Sequence, residues 1–352
     1  MTGLDLSQDG AALTVALCDI ESVSGNEQHL ADLIERALGA AGHLTVQRDG
    51  NVLVARTSGG RDERVVIAGH IDTVPIAGNL PCRVADGRIQ GCGTTDMKSG
   101  VAVALRLAVS LDAPSRDVSW VYYDCEEVEA DRNGLDRVAR EHPDWIAGDF
   151  AVLMEPSNAT VEGGCQGTMR VDVRLAGHRS HSARWWMGSN AIHAAAPVLA
   201  RLASYVPAEI EIDGLVYREG LNAVGISGGV AGNVIPDECI VTINYRFAPS
   251  KSEQQAADVV REVFDGFDIS VGDSAPGALP GLSEPAAAAF VAAIGKPPKP
   301  KFGWTDVSRF SALGVPAVNY GPGDPNLAHT REESVDVAQI AEVEDRLRTW
   351  LT

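Results

Sequence analysis

Four apolar runs in this 352-residue chain end in, or lead straight into, a carboxylate or a histidine. They are RVVIAGHID (64–72), VSWVYYDCEE (118–127), FAVLMEP (150–156) and PAVNYGPGDPNLAH (316–329). Short β-branched and aromatic runs bounded by turn residues read as buried strands. In open α/β sheets, ligands collect beyond the carboxyl ends of such strands. Asp96, just ahead of the apolar helical stretch 99–111, joins the inventory. The sequence thus offers His70, Asp72, Asp96, Glu126, Glu127, Glu155 and His329, the set that a hydrolytic two-metal centre needs.

The residue types follow from the chemistry. Imidazole nitrogen and carboxylate oxygen are good zinc ligands, and a catalytic zinc keeps one coordination position open, unlike a closed cysteine cage. Two metals in one site need a bridging carboxylate, and two histidines with three or four carboxylates fill both shells. On a strand, residues 70 and 72 point to one face, so Asp72 is expected to hold the far nitrogen of His70 and fix its tautomer. Glu126 and Glu127 are adjacent and point two ways at a strand end. One is expected to be a ligand and the other a base.

Each residue taken singly has a bland reading, because carboxylates mostly sit solvated on surfaces and a histidine in a Gly/Pro/Asn loop is mostly a surface group. The conjunction outweighs it. Ionisable groups at the ends of strongly apolar strands are costly to bury without a metal or a partner.

GHIDTVP (69–75), GCGTTDMKSG (91–100), DCEEVE (124–129), MEPSN (154–158) and the histidine in NLAHTREE (326–333) occur in the order seen in the di-zinc aminoacylase and carboxypeptidase superfamily, and the chain resembles it over most of its length. Any one of these pieces is weak, whereas the set is specific. Val128 follows the glutamate pair where many members carry glycine. HSARWWMGSNAI (181–192) and FGWTDVSRF (302–310) are most similar to the superfamily's shorter, actinobacterial branch that removes succinyl groups from N-succinyl-diaminopimelate. The resemblance implies two zinc ions, with cobalt or manganese as possible substitutes. It implies that His70 and Glu155 hold one metal, Glu127 and His329 the other, and that Asp96 bridges, with Glu126 as the base. Rival readings with the same metals are an acetylornithine deacetylase or an aminoacylase or dipeptidase-like hydrolase. A more remote one is an inactive metal-binding paralogue, against which an intact Glu126 speaks.

At 352 residues with 45% hydrophobic content, the chain is expected to form two domains. The start MTGLDLSQDG lacks a basic and an apolar signal region, and no run approaches membrane-spanning length, so a soluble, cytoplasmic protein is expected. Six cysteines (18, 82, 92, 125, 165 and 239) lie scattered with no CxxC spacing, which points to free thiols. Cys125, beside the glutamate pair, reads as a small buried residue rather than a nucleophile. A net charge of −19 makes nucleic acid or an anionic membrane a poor partner, and none of either kind is expected. The expected partner is a small N-acyl amino acid.

The expected fold class is α/β: a doubly wound zinc-hydrolase catalytic domain (1–163 and 277–352) with an inserted α+β, βαββαβ-like dimerisation domain (164–276). In the insertion RVDVRLAG (170–177) alternates like a half-exposed strand, GSNAIHAAAPVLARLAS (188–204) reads as a helix, LNAVGISGG and ECIVTINYRFA as strands, and 252–267 as an amphipathic helix opened by a serine cap. The resemblance implies that His181 reaches the metal centre of a partner subunit in a homodimer and stabilises the oxyanion, with His178 a lesser competitor. It also implies that Asn233 and Arg246 hold substrate carboxylate. Gly303 and Thr305, before a helix expected to start near Asp306, are candidate carboxylate donors.

Overall fold

The computed structural model describes residues 3–352. They fall into two compact units. The first runs to Gly163 and resumes with Gly281–Lys299 and Arg309–Thr352; the second is Gly164–Pro280 with Pro300–Ser308. The sequence reading ended the insertion at 276 and gave 300–308 to the catalytic domain, and both boundaries need correction. The reason is hydrogen bonding: the Gln166 amide donates to the Gly303 carbonyl (3.0 Å), and the Ser308 hydroxyl to the Pro276 carbonyl (2.7 Å).

The first unit is built on an eight-stranded mixed sheet. At its centre Asp117–Tyr123, Arg64–His70, Phe150–Leu153 and Ala317–Asn319 run parallel in that spatial order. Every residue of Asp117–Tyr123 and Phe150–Leu153 is buried, and apart from Asp117 and Ser119 all are apolar, as in a parallel sheet covered on both faces. Because the four strands are parallel, their carboxyl ends emerge on one side. His70 stands opposite Tyr123 and Ala68 opposite Leu153, so those ends are level. The helix Lys98–Ser110 packs on strand Arg64–His70, and its Gly100 lets it approach the chain just past Phe150–Leu153, where a Cβ would collide with the Met154 carbonyl.

The second unit carries a four-stranded antiparallel sheet in the order Gly220–Gly228, Glu238–Phe247, Gly167–Ala176, Asp268–Ala275. Met169, Val171, Val173 and Leu175 alternate inward and pack with Ala191, Val198, Ala256 and Val260 from the helices. In chain order this is the expected βαββαβ unit, extended by a hairpin of Glu209–Ile212 and Leu215–Arg218. Two helical expectations are corrected. The stretch 188–204 is two helices, Ala191–Ala194 and Ala196–Ser204, with Pro197 in the first turn of the second. The helix begun at Ser252 is Glu253–Val263, capped reciprocally by Ser252 and Gln255, and it stops before Phe264. Among the described residues no helix is long and apolar enough to cross a membrane.

Candidate metal centre

The level strand ends carry the candidate residues, and His70, Asp96, Glu127 and His329 meet there. Strand Arg64–His70 finishes on His70, and Asp72 lies just past its end rather than on it. After strand Asp117–Tyr123 the chain turns through Cys125, at φ 56°, into Glu126 and Glu127. Glu155 is buried two residues beyond Phe150–Leu153. Past Ala317–Asn319 the chain reaches His329 through the 3₁₀ turn Pro325–Leu327, and His329 adopts φ 62°.

Asp96 is the centre of the group. His70 Nε2 lies 3.1 Å from Asp96 Oδ1, and His329 Nε2 lies 3.3 Å from Oδ2. His329 Nε2 is also 2.8 Å from Glu127 Oε1. Ligand atoms of His70, Asp96 and Glu127 all lie within 4.8 Å of one another. One carboxylate therefore presents one oxygen to each imidazole, the disposition that a carboxylate bridging two cations requires.

Asp72, fully buried, supports this group from behind. Its carbonyl lies 3.1 Å and its Oδ1 3.4 Å from His70 Nδ1. The same carboxylate accepts the backbone N–H groups of Glu126 and Glu127 (3.1 Å each) and the Ser24 hydroxyl (2.6 Å). Asp72 thus orients the histidine ring and fixes the loop that carries the glutamate pair.

Electrostatics fit the same assignment. Burial pulls the His70 imidazole down, but hydrogen bonds to Asp72 and Asp96 outweigh it and hold it well above its ordinary pKa. Hydrogen bonds to Asp96 and Glu127 push His329 up to about 10. Asp96 is held well below the usual carboxylate range, because its contacts with His329 and His70 overcome burial. Burial moves Glu127 up, and the neighbouring Asp96 adds to it. Protons thus occupy the imidazole nitrogens that divalent cations would take, and the nitrogen and oxygen donor set fits zinc. Burial, with Glu27 and Asp124 nearby, pushes the Cys125 thiol up to about 12, which leaves it no nucleophilic role. All six cysteines are free.

Sequence reasoning missed the residues that hold the ligand loops by their backbone. Glu333, almost fully buried, accepts N–H groups from Gly93 (3.0 Å), Thr95 (2.9 Å) and Asp96 (3.1 Å). Burial pushes its carboxyl up to about 7 against those hydrogen bonds. The signal was the turn GCGTTD, whose amides need an acceptor, though nothing nearby in sequence supplies one. Ser24 and the buried Lys98, whose Nζ donates to the Leu17 (3.1 Å) and Ile20 (2.8 Å) carbonyls, were likewise passed over.

The remaining candidates belong to the second unit. His181 is exposed, and its Nδ1 accepts the Ala183 N–H at 3.0 Å, so the neutral ring carries its proton on Nε2. Asn233 is exposed and its carbonyl accepts from Ser182. Half-buried Arg246 donates to Asn244 (3.0 Å), and among the described residues no carboxylate pairs with it. Gly303 gives its N–H to Gln166 Oε1 at 3.4 Å, and Thr305 is buried with its carbonyl accepting from Ser308.

A strand-end cluster of two imidazoles around a shared carboxylate, on an α/β sheet interrupted by an α+β unit, defines a metallohydrolase of the peptidase type. The chain belongs to peptidase family M20/M25/M40, whose model matches residues 66–352. It is 55% identical over 351 residues to a protein of Mycobacterium tuberculosis named putative succinyl-diaminopimelate desuccinylase, with 99% of each chain covered. It is 47% identical to the succinyl-diaminopimelate desuccinylase of Corynebacterium glutamicum, covering 99% of this chain and 98% of that one. A tripeptidase of Staphylococcus aureus shares the fold with a TM-score of 0.79 at 20% identity, over 99% of this chain and 98% of the other.

Proposed function

We propose that the protein hydrolyses N-succinyl-LL-2,6-diaminopimelate to succinate and LL-2,6-diaminopimelate, as a cytoplasmic enzyme of diaminopimelate and lysine biosynthesis. The observation that carries the reading is Asp96, with one oxygen toward His70 and the other toward His329, in a chain 55% identical to a relative bearing the desuccinylase name. His70 and Glu155 would hold one zinc, Glu127 and His329 the other, and Asp96 would bridge them. Bound there, zinc polarises the substrate carbonyl and acidifies water. Glu126 accepts the proton of the attacking water and returns it to the leaving amine, the work of a general acid–base group. Asp72 keeps His70 in one tautomer and Glu126 in place through its backbone N–H.

The inserted unit supplies substrate contacts. Arg246, without a carboxylate partner among the described residues, suits a substrate carboxylate, with Asn233 and the Gly303–Thr305 turn contributing further donors. His181 presents a protonated Nε2 suited to an oxyanion, and acts in the partner's site of a homodimer. Exposed Trp185, Trp186 and Met187 beside it, with Val224 and Ile226 on the edge strand Gly220–Gly228, support self-association. The test is a hydrolysis panel with zinc-loaded protein on N-succinyl-diaminopimelate, N-acetylornithine and dipeptides. Faster turnover of N-acetylornithine than of the succinyl substrate would sink the desuccinylase reading.

A further inference from the structure

The loop that carries Glu126 and Glu127 begins at a residue in the left-handed region. Cys125 has φ 56°, a conformation that non-glycine residues hold only where their surroundings impose it. One fully buried side chain meets residue 125 at both of its donors. Glu27 Oε1 accepts the Cys125 backbone N–H at 3.3 Å and the Cys125 thiol at 3.5 Å, and it also accepts the Gly25 N–H at 2.7 Å. The next two residues give their N–H groups to Asp72, which Ser24 in turn supports. The segment 24–27 therefore grips the loop at both ends: through Glu27 at residue 125, and through Ser24 and Asp72 at residues 126 and 127.

We infer that Glu27 is a positioning residue for the base, acting by holding Cys125 in the left-handed conformation that aims Glu126 and Glu127. The inference rests on Glu126 being the base. If residue 125 relaxed to the extended region, the following peptide planes would rotate away from Asp72, and base and ligand would move together. The acceptor oxygen is what matters, not the charge. Glu27 Oε2 is buried without a hydrogen-bond partner, so an amide in its place loses no contact.

The test uses full-length protein carrying Glu27→Leu, Glu27→Gln, and Glu27→Leu combined with Cys125→Gly. Glu27→Leu removes the acceptor, and kcat for the succinyl substrate is expected to fall at least tenfold with KM unchanged. Glu27→Gln keeps the acceptor and should stay within about threefold of wild type. Glycine takes φ 56° without strain, so the double variant should recover most of the rate lost by Glu27→Leu. A merely structural role would lower the melting temperature of Glu27→Leu without a kcat deficit that glycine at 125 restores.

Amide hydrogen exchange over residues 123–128 of the metal-free protein gives a readout independent of activity. Glu27→Leu should speed it about tenfold, and Glu27→Gln should not. Should Glu27→Leu yield no folded protein, Cys125→Val must show the same kcat loss, because a β-branched residue resists φ 56° while Glu27 stays intact. Wild-type protein that hydrolyses no member of the substrate panel would defeat the functional reading, and the exchange rates would still decide the role of Glu27. Unchanged kcat and exchange in Glu27→Leu, or no recovery in the double variant, would overturn the inference. So would a third equivalent of zinc bound by the wild-type protein and lost with Glu27→Leu, which would make Glu27, Asp124 and Cys125 a metal site.

Discussion

Replacing Asp72 by asparagine isolates the support behind the metal centre, because the shape is retained while one acceptor oxygen becomes a donor. In the native protein Oδ1 accepts the Glu126 N–H and faces His70 Nδ1, while Oδ2 accepts the Ser24 hydroxyl and the Glu127 N–H. Whichever side the amide nitrogen takes, it meets a backbone N–H head-on. One part-buried donor is then left without an acceptor, which costs about 1–3 kcal/mol, and the surviving bonds weaken from charged to neutral strength, for a total on the order of 2–4 kcal/mol. His70 also loses the anion at its Nδ1, and removal of such a ligand-orienting group lowers metal affinity about 10- to 100-fold. Zinc titration calorimetry of the metal-free Asp72→Asn protein, with thermal unfolding and kcat alongside, measures each consequence. Ser24→Ala, which removes one donor from the same carboxylate, should fall between this variant and wild type. Zinc affinity within twofold of wild type and unchanged kcat in Asp72→Asn would refute the assignment of Asp72 as the common support of His70 and the glutamate loop.

Glu126→Gln should keep its zinc, measured by elemental analysis, and lose about 10² to 10⁴ in kcat as expected for a general base; lost metal would make Glu126 a ligand. Mixing inactive His181→Ala with inactive Glu126→Gln protein should restore partial activity, since a mixed dimer holds one site with both groups intact, and no recovery after verified subunit exchange would mean that each chain completes its own site. Arg246→Ala leaves a substrate carboxylate unpaired, at about 2 kcal/mol or more, so kcat/KM for the succinyl substrate should drop at least about 30-fold. His329 is raised from an ordinary 6.5 to about 10, so its proton stabilises the metal-free fold fully below pH 6.5 and progressively less up to about pH 10. Zinc displaces that proton and the one on His70, so zinc affinity should climb over the same window, and calorimetry at pH 7 in buffers of different ionisation enthalpy should find protons released; none released would contradict the raised imidazoles.

The candidate ligands were legible in the sequence for a specific physical reason. A parallel strand buried on both faces is largely apolar, so the ionisable residue at its carboxyl end is conspicuous, as His70 is after RVVIAG and Glu155 after FAVLM. The sheet then makes those ends neighbours. The second unit was legible in topology because alternation marks strands such as Gly167–Ala176. Its last strand, Asp268–Ala275, was not. DISVGDSA is exposed along most of its length and is held by pairing to Gly167–Ala176, a contact that no local pattern announces. The break in the helix over 188–204 was legible in Pro197 but was overridden by the apolar run around it.

Much of what holds the candidate ligands was hidden because it acts on backbone, not on side chains: Asp72 was expected beside His70, but its hold on the glutamate loop was not, and Glu333 and Glu27 were passed over. Glu333 binds three amides of the turn leading to Asp96, Asp72 binds the amides of Glu126 and Glu127, and Glu27 binds the amide of Cys125. An acceptor of this kind needs only to be anionic and near, so it leaves no spacing signature and can come from anywhere in the chain: Glu27 lies 98 residues before its partner, and Glu333 lies 237 after Asp96. The division has a functional consequence. Side chains that bind metal are free to rotate unless their peptides are fixed, and a centre whose imidazoles and carboxylates pair through protons when no metal is bound keeps its geometry only if the main chain is restrained independently. Three buried carboxylates supply that restraint here. The ligand loops are therefore preorganised by hydrogen bonds that metal removal leaves intact, and an empty centre of this build should lose its catalysis while keeping its backbone.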